Sequence, residues 1–335
     1  MGTRAVVVAV AAVAALVTHD DSNAADNATA ALPLSHIADI PLPGRTSRLD
    51  YESFDPDRHL LFIAHLGDSE VIVFDTQASR VVARIGNIAE VHGVLAVPEL
   101  SRVYASATGS NEVVAIDEST LKITARMPGG VYPDGMAYAP GTRKLYISDE
   151  TGGTETVIDT RSNRRTHTII LGGTIGNTQY DAASGHIFVN AQSRRQLIEI
   201  DPANDAIVAH IDLPGAKGNH GLYIVSPRHL AMIACEDNAR LLVVDLLTRQ
   251  VAQSFDVGDG PDVLAFDSGT NTLYVAGEAG IVSMFVLDTS SLTKTGQGSI
   301  GPNAHVVGVD PATHRVYFPL KNVDGHPVLR VMAPR

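Results

Sequence analysis

Short apolar runs, rich in Val, Ile and Tyr and bounded by Gly, Pro, Asn, Asp or Ser, recur along the chain beyond residue 25. None carries the 3.6-residue apolar spacing of a helix. Runs of this length and punctuation are the signature of β-strands. One stretch shows the unit: 92–97, 102–106, 113–117 and 122–126 read as four strands with turns between them. The unit repeats. Its lead residues stand at 50, 92, 134, 177, 220, 262 and 305, with spacings of 42, 42, 43, 43, 42 and 43. A second marker keeps step: Asp75, Asp117, Asp159, Asp201, Asp245 and Asp288 each close a β-rich run ahead of turn residues.

Four strands per unit of 40-odd residues, repeated around an axis, predict an all-β fold: a seven-bladed β-propeller of four-stranded antiparallel blades. The last unit holds only three runs, 305–309, 315–318 and 328–332, before the chain stops. Its missing outer strand is read at 35–41, so that an N-terminal strand closes the last blade and covers an exposed edge.

The N-terminus reads differently. Arg4 precedes an unbroken apolar run over 5–17, and Ser22-Asn23-Ala24 offers small residues for cleavage. Residues 1–24 are therefore expected to be an export signal, since thirteen apolar residues fall short of the ~20 that span a bilayer. The expected organisation is a signal at 1–24, a flexible stretch at 25–33 and one propeller domain over 34–335. The expected location is periplasmic or secreted.

Composition removes several function classes. The formal charge is −12, from 25 Lys and Arg against 37 Asp and Glu. That sign opposes nucleic acid and anionic membrane surfaces. Cys235 is the single cysteine, so there is no disulfide framework, Cys-x-x-Cys pair or haem-attachment motif. The paired glycines 152–153 and 172–173 lie between strands and make no phosphate cradle for a nucleotide.

Two segments carry a family likeness. Pro133-Asp134-Gly135-Met136-Ala137-Tyr138 leads to Lys144-Leu145-Tyr146-Ile147-Ser148, and Pro261-Asp262-Val263-Leu264-Ala265-Phe266 leads to Thr272-Leu273-Tyr274-Val275-Ala276. They resemble the Tyr-Val-Thr-Asn repeats of YncE-like seven-bladed propellers, and the likeness covers nearly all of the chain beyond the signal. It implies the fold and leaves the function open, because relatives range from redox enzymes to binding scaffolds. With no Trp in the chain, it does not resemble the Trp-docked blades of quinone-dependent alcohol dehydrogenases.

In a propeller the first strand of each blade lines the central channel, so the seven lead residues should form a ring at one mouth. In order they are Asp50, His92, Asp134, Asn177, His220, Asp262 and His305, and none is apolar. The second strands should return to this mouth and bring His65, Asp149, Glu150, Gln192, Cys235, Glu236, Glu278 and Lys321 beside it. Inner strands ~7 Å apart, tighter than packed sheets, give a ring radius of roughly 8 Å, within reach of imidazoles meeting a metal on the axis. The expected metal ligands are His92, His220, His305, Asp50 and Asn177. The expected catalytic set is His92, His220, His305, Asp134 and Asp262. Zn, Ca, Mg, Mn and Cu are not distinguished. Acid and His nearly alternate, so a ring of mutually paired side chains with no metal stands beside this reading. His59, His186, His229 and His314 begin or precede second strands at the opposite face and read as solvated turn residues.

Three functions follow as expectations: a metal-assisted lyase or hydrolase acting on a small molecule or carbohydrate; a non-catalytic propeller binding a protein, glycan or other ligand; and a copper or redox protein. A monomer is favoured, because a closed propeller leaves no obvious pairing edge.

Overall fold

Apolar alternation builds every blade from the same four steps, and the turns between them are capped by the acids that mark the repeat. Asp75 Oδ1 accepts from the Gln77 and Ala78 amides at 2.9 and 2.7 Å, and Asp245 Oδ1 holds Leu247 and Thr248 at 2.9 Å each. These are Asx turns, which explains the fixed acid at the end of each third strand. The computed structural model describes residues 1–2, 31–289 and 291–335. The export signal expected at 1–24 and most of the stretch at 25–33 fall outside the described residues, apart from positions 1–2 and 31–33.

The strands form seven four-stranded antiparallel sheets in a ring, a β-propeller. Blade 1, for example, runs Glu52–Asp55, Leu60–His65, Glu70–Asp75 and Arg80–Ile85, from the channel outward. Six blades are continuous in sequence. In the seventh, Leu34–Pro41 pairs as the outer strand with His326–Pro334, Leu34 opposite Pro334 and Pro41 opposite Val328. Asp39 and Arg330 lock this seam through two bonds of 2.8 and 2.6 Å.

Seven apolar clusters hold the ring, and each is shared by two neighbouring blades. The cluster between blades 7 and 1 joins Leu61, Ile63 and Phe74 to Tyr317, Leu329 and Val331. A large side chain recurs at one second-strand position, Phe62, Tyr104, Tyr146, Phe188, Met232, Tyr274 and Tyr317, each at most 2% exposed. Blade-to-blade packing is thus the main source of stability, as apolar burial is worth roughly 25 cal/mol per Å². No helix among the described residues is long and apolar enough to cross a membrane.

Candidate functional site

The lead residues reach the axis because the inner strands are irregular where they sit. Pairing with the second strand breaks between Val91 and Val94, Pro133 and Met136, Asn219 and Leu222, and Pro261 and Leu264. Each break frees two residues, the lead residue and its follower, and a bulge of this kind re-aims side chains. The follower faces the next blade at very close range. A Cβ at Gly93 would stand 2.1 Å from the Asp134 carbonyl oxygen, and one at Gly221 would stand 1.8 Å from that of Asp262. Glycine is required there by close approach.

The mouth is a cavity of about 480 Å³, lined by seven carboxylates (Asp50, Glu90, Asp134, Glu150, Glu236, Asp262, Glu278), His92, His220, Arg48, Tyr51, Leu66 and Tyr132. Arg48 is the only Lys or Arg in this wall; it pairs with Asp50 at 2.9 Å and Glu278 at 2.8 Å. Burial pushes the Asp262 carboxyl up to about 8, against the pull of His220. Burial, reinforced by Asp50, holds Asp134 well above the usual carboxylate range. Burial and then Glu150 push Glu236 up to about 7. Burial is the first cause at all three, and neighbouring carboxylates add to it.

The sequence-derived ring separates into distinct roles. His220 stands 3.6 Å from Asp262 and 3.8 Å from Asp134, but its nearest partners are Tyr51 Oη at 3.0 Å and Gln192 Nε2 at 2.7 Å. Tyr51 donates to Asn177 Oδ1 at 2.7 Å, so its oxygen accepts from His220 Nε2–H, and Gln192 donates to Nδ1. His92 is engaged within its own corner: Nδ1 donates to the Glu90 carbonyl at 2.9 Å and Nε2 accepts from Tyr132 at 3.0 Å. His305 donates through Nδ1 to the Asn303 carbonyl at 3.0 Å, and its Nε2 has no partner. Burial lowers its proton affinity.

Three groups of metal-ligating side chains converge to within 4.8 Å among the described residues: His220, Glu236 and Asp262; Asp262, Glu278 and His305; and His65, Asp68 and Glu70. None contains more than one of His92, His220 and His305. The expected meeting of three histidines at one ion is therefore not what the fold builds. Nor do Asp50 and Asn177 join a group, being taken up by Arg48 and Tyr51. In the third group the carboxylates already hold Arg45 at 2.8 Å and Arg84 at 2.9 Å.

The residues expected beside the mouth also divide. Glu150, Glu236 and Glu278 line it, and Gln192 reaches it through His220. His65, Asp149 and Cys235 do not: they are the last residues of second strands, fully buried between blades, and alternation sends only the following residue to the channel. Asp149 is held there by the Gly130 amide and the Thr154 and Thr156 hydroxyls at 2.6–2.8 Å. Burial pushes the Cys235 thiol up to about 12, far from a reactive thiolate. Lys321 is partly exposed on Arg315–Val323 and lines neither this cavity nor the next. At the opposite face His186 and His314 are paired, with Glu199 at 2.6 Å and Asp267 at 2.8 Å, whereas His59 is an exposed turn residue and His229 a half-buried one.

Tyr51, Arg48 and Tyr132 line the candidate site, and the repeat reading passed over them. The signal for Tyr51 was present: in the follower position the other blades carry Gly93, Gly135, Thr178, Gly221, Val263 and Val306. Only blade 1 places a large side chain there, and it crosses the channel to blades 4 and 5. Beyond it lies a second cavity of about 480 Å³, with Phe54, Leu95, Met136, Leu222, Tyr223 and Phe266 in its wall. The axis is thus divided by Tyr51 into a charged chamber and one whose wall mixes these apolar side chains with Glu52, Asn177 and Gln179.

No family model matches the chain, and no curated protein matches it. Solved structures do. Hydrazine synthase of Kuenenia stuttgartiensis superposes with a TM-score of 0.74 at 15% identity over 89% of this chain and 97% of that one. The RRP9 WD40 repeats give 0.75 at 9% identity over 92% and 99%. A chain of the mitotic checkpoint complex gives 0.74 at 12% identity over 98% and 99%. At these identities the likeness establishes the seven-bladed propeller and nothing of its chemistry.

Proposed function

We propose that the chain is a ligand-binding propeller whose working surface is the charged mouth, and that the ligand it takes there carries positive charge. The observation that carries this reading is the imbalance of seven carboxylates against one arginine around a cavity of about 480 Å³. Burial holds Asp134 and Asp262 toward their protonated forms, and a cationic ligand would supply the counter-charge that lets them ionise. The Tyr-Val-Thr-Asn likeness supports placing the chain beside YncE-like propellers, and the apolar run at 5–17 supports export to the periplasm or medium.

A second reading, metal-assisted hydrolysis or elimination on a small molecule or glycan, is favoured by one contact. His220 lies in the cavity wall 3.6 Å from Asp262 and 3.8 Å from Asp134, and would move a proton at a bound substrate by exchanging its bond to Tyr51.

Thermal denaturation with a panel of divalent cations and organic amines, run against succinate and phosphate, tests the main reading. A ligand at ~100 Kd stabilises by about 2.7 kcal/mol, so at least one cation is expected to raise Tm by several degrees while the anions leave it unchanged. Stabilisation by the anions alone would refute it.

A further inference from the structure

Resting on the reading of the mouth as a cation site, we propose that it holds one divalent transition-metal ion, bound by His305 Nε2 and by one carboxylate oxygen each from Asp262 and Glu278. These three donors lie within 4.8 Å of one another, and His305 Nε2 is 3.9 Å from Glu278 Oε1. Around a tetrahedral ion with ~2.0–2.1 Å bonds, neighbouring donors sit roughly 3.3 Å apart. Small side-chain movements close the difference.

Two of the three donors are buried and carry an atom with no hydrogen-bond partner. His305 is 1% exposed, and its Nδ1–H is committed to the Asn303 carbonyl, which leaves the Nε2 lone pair facing the group with no donor to satisfy it. An imidazole oriented through its other nitrogen is the usual arrangement of a metal-bound histidine. Asp262 is 4% exposed, and its Oδ1 likewise has no hydrogen-bond partner. Asn303 contacts two of the three ligands, through its carbonyl to His305 and through its side-chain amide to Glu278. Arg48 holds Glu278 Oε1, the oxygen nearer His305, at 2.8 Å while Asn303 holds Oε2, so ligation draws on the further lone pair that each carboxylate oxygen keeps.

The competing group of His220, Glu236 and Asp262 is less ready. Both ring nitrogens of His220 already have partners, so ligation there would break the bond to Tyr51 and reverse the tautomer. One imidazole with two carboxylates suits Zn²⁺, Mn²⁺, Fe²⁺ or Co²⁺, whereas Ca²⁺ and Mg²⁺ prefer oxygen donors throughout. Glu278, with its side chain 38% exposed, leaves the remaining coordination positions open to the cavity.

The test uses the full chain treated with chelator and titrated with Co²⁺, followed by visible absorption and calorimetry, with Zn²⁺ and Mn²⁺ in parallel. One equivalent of Co²⁺ is expected. Loss of a residue that only hydrogen-bonds a metal ligand weakens metal binding about 10–100-fold, so His305→Gln, as loss of a ligand, should weaken it by about 100-fold or more and change the Co²⁺ spectrum. His220→Gln should weaken it less than about tenfold. If His305→Gln fails to fold by circular dichroism, Glu278→Gln, a more exposed ligand, takes its place with the same expected loss of affinity. Uptake of none of the three metals by the native chain, wild-type affinity in the ligand variants, or greater dependence on His220 than on His305 overturns the assignment. If metals fail while an organic amine still stabilises the fold, this inference falls and the cation-binding reading stands; if both fail, both fall.

Discussion

Gly221→Ala probes the geometry on which the whole mouth depends. A Cβ at this position would lie 1.8 Å from the Asp262 carbonyl oxygen, 2.7 Å from Leu264 Cδ1 and 3.0 Å from Ala234 Cβ. Ordinary contact begins near 3.4 Å, so the Asp262 backbone must withdraw by about 1.6 Å. Retreat by blade 5 instead is opposed on its other side, where the His220 and Gly221 carbonyls accept from Asn190 Nδ2 at 2.8 and 3.1 Å and the His220 carbonyl accepts from the Asn177 amide at 2.9 Å. Overpacking of a tight core costs about 1–3 kcal/mol, and more where the obstacle is backbone. We expect a loss of roughly 3 kcal/mol or more, read as a lower urea midpoint at unchanged slope. Gly86→Ala is the control: it has nothing within 4 Å of the added carbon and is exposed, so it should stay within about 0.5 kcal/mol of the native chain. A Gly221→Ala protein as stable as the control would refute the close contact of blades 5 and 6 at the hub.

Two further outcomes follow. Removing everything before Leu42 deletes the strand Leu34–Pro41, strips the Asp39–Arg330 seam and uncovers Val328 and Met332, which share an apolar cluster with Leu34; the loss should exceed about 5 kcal/mol or leave the chain insoluble, and an unchanged urea midpoint would sink the closure argument. Glu118, buried beside Asp55 and bridged to it by Arg58, has its carboxyl pushed up from 4.5 to about 8, first by burial and then by Asp55. A raised carboxyl means that the folded state binds more protons than the unfolded one, so stability is fullest below about 4.5 and is lost as pH rises through about 8. Glu118→Gln should flatten that decline in urea midpoints between pH 5 and 8.5, and an undiminished decline would assign it elsewhere.

Much of the fold was legible because a propeller is nearly one-dimensional: each blade packs its apolar faces only against its two neighbours, and a local pattern repeated seven times carries the global plan. The N-terminal closing strand followed from the blade count, and the observed pairing of Leu34–Pro41 agrees with it. The mouth was legible as a location, since every lead residue from Asp50 to His305 is polar. Its internal pairing was not. Whether Nε2 of a histidine is free depends on side chains from other blades, as with Tyr51 on His220 and Tyr132 on His92. Strand-end residues were misplaced for a different reason. A shift of one residue turns a side chain to the opposite face, which put Glu236 at the channel and Cys235 between the blades.

The amino-acid sequence by itself determined the number of blades, their strand order, the acid-capped turns and the polar character of the hub, because these rest on local alternation and on a period that repeats within the chain. The tertiary structure alone decided which polar groups satisfy one another across the axis. Tyr51 reaches 126 residues along the chain to Asn177, and Arg48 reaches 230 to Glu278. Such contacts are set by ring closure, which brings blades of distant sequence to one hub, and no local pattern encodes which side chain arrives opposite which.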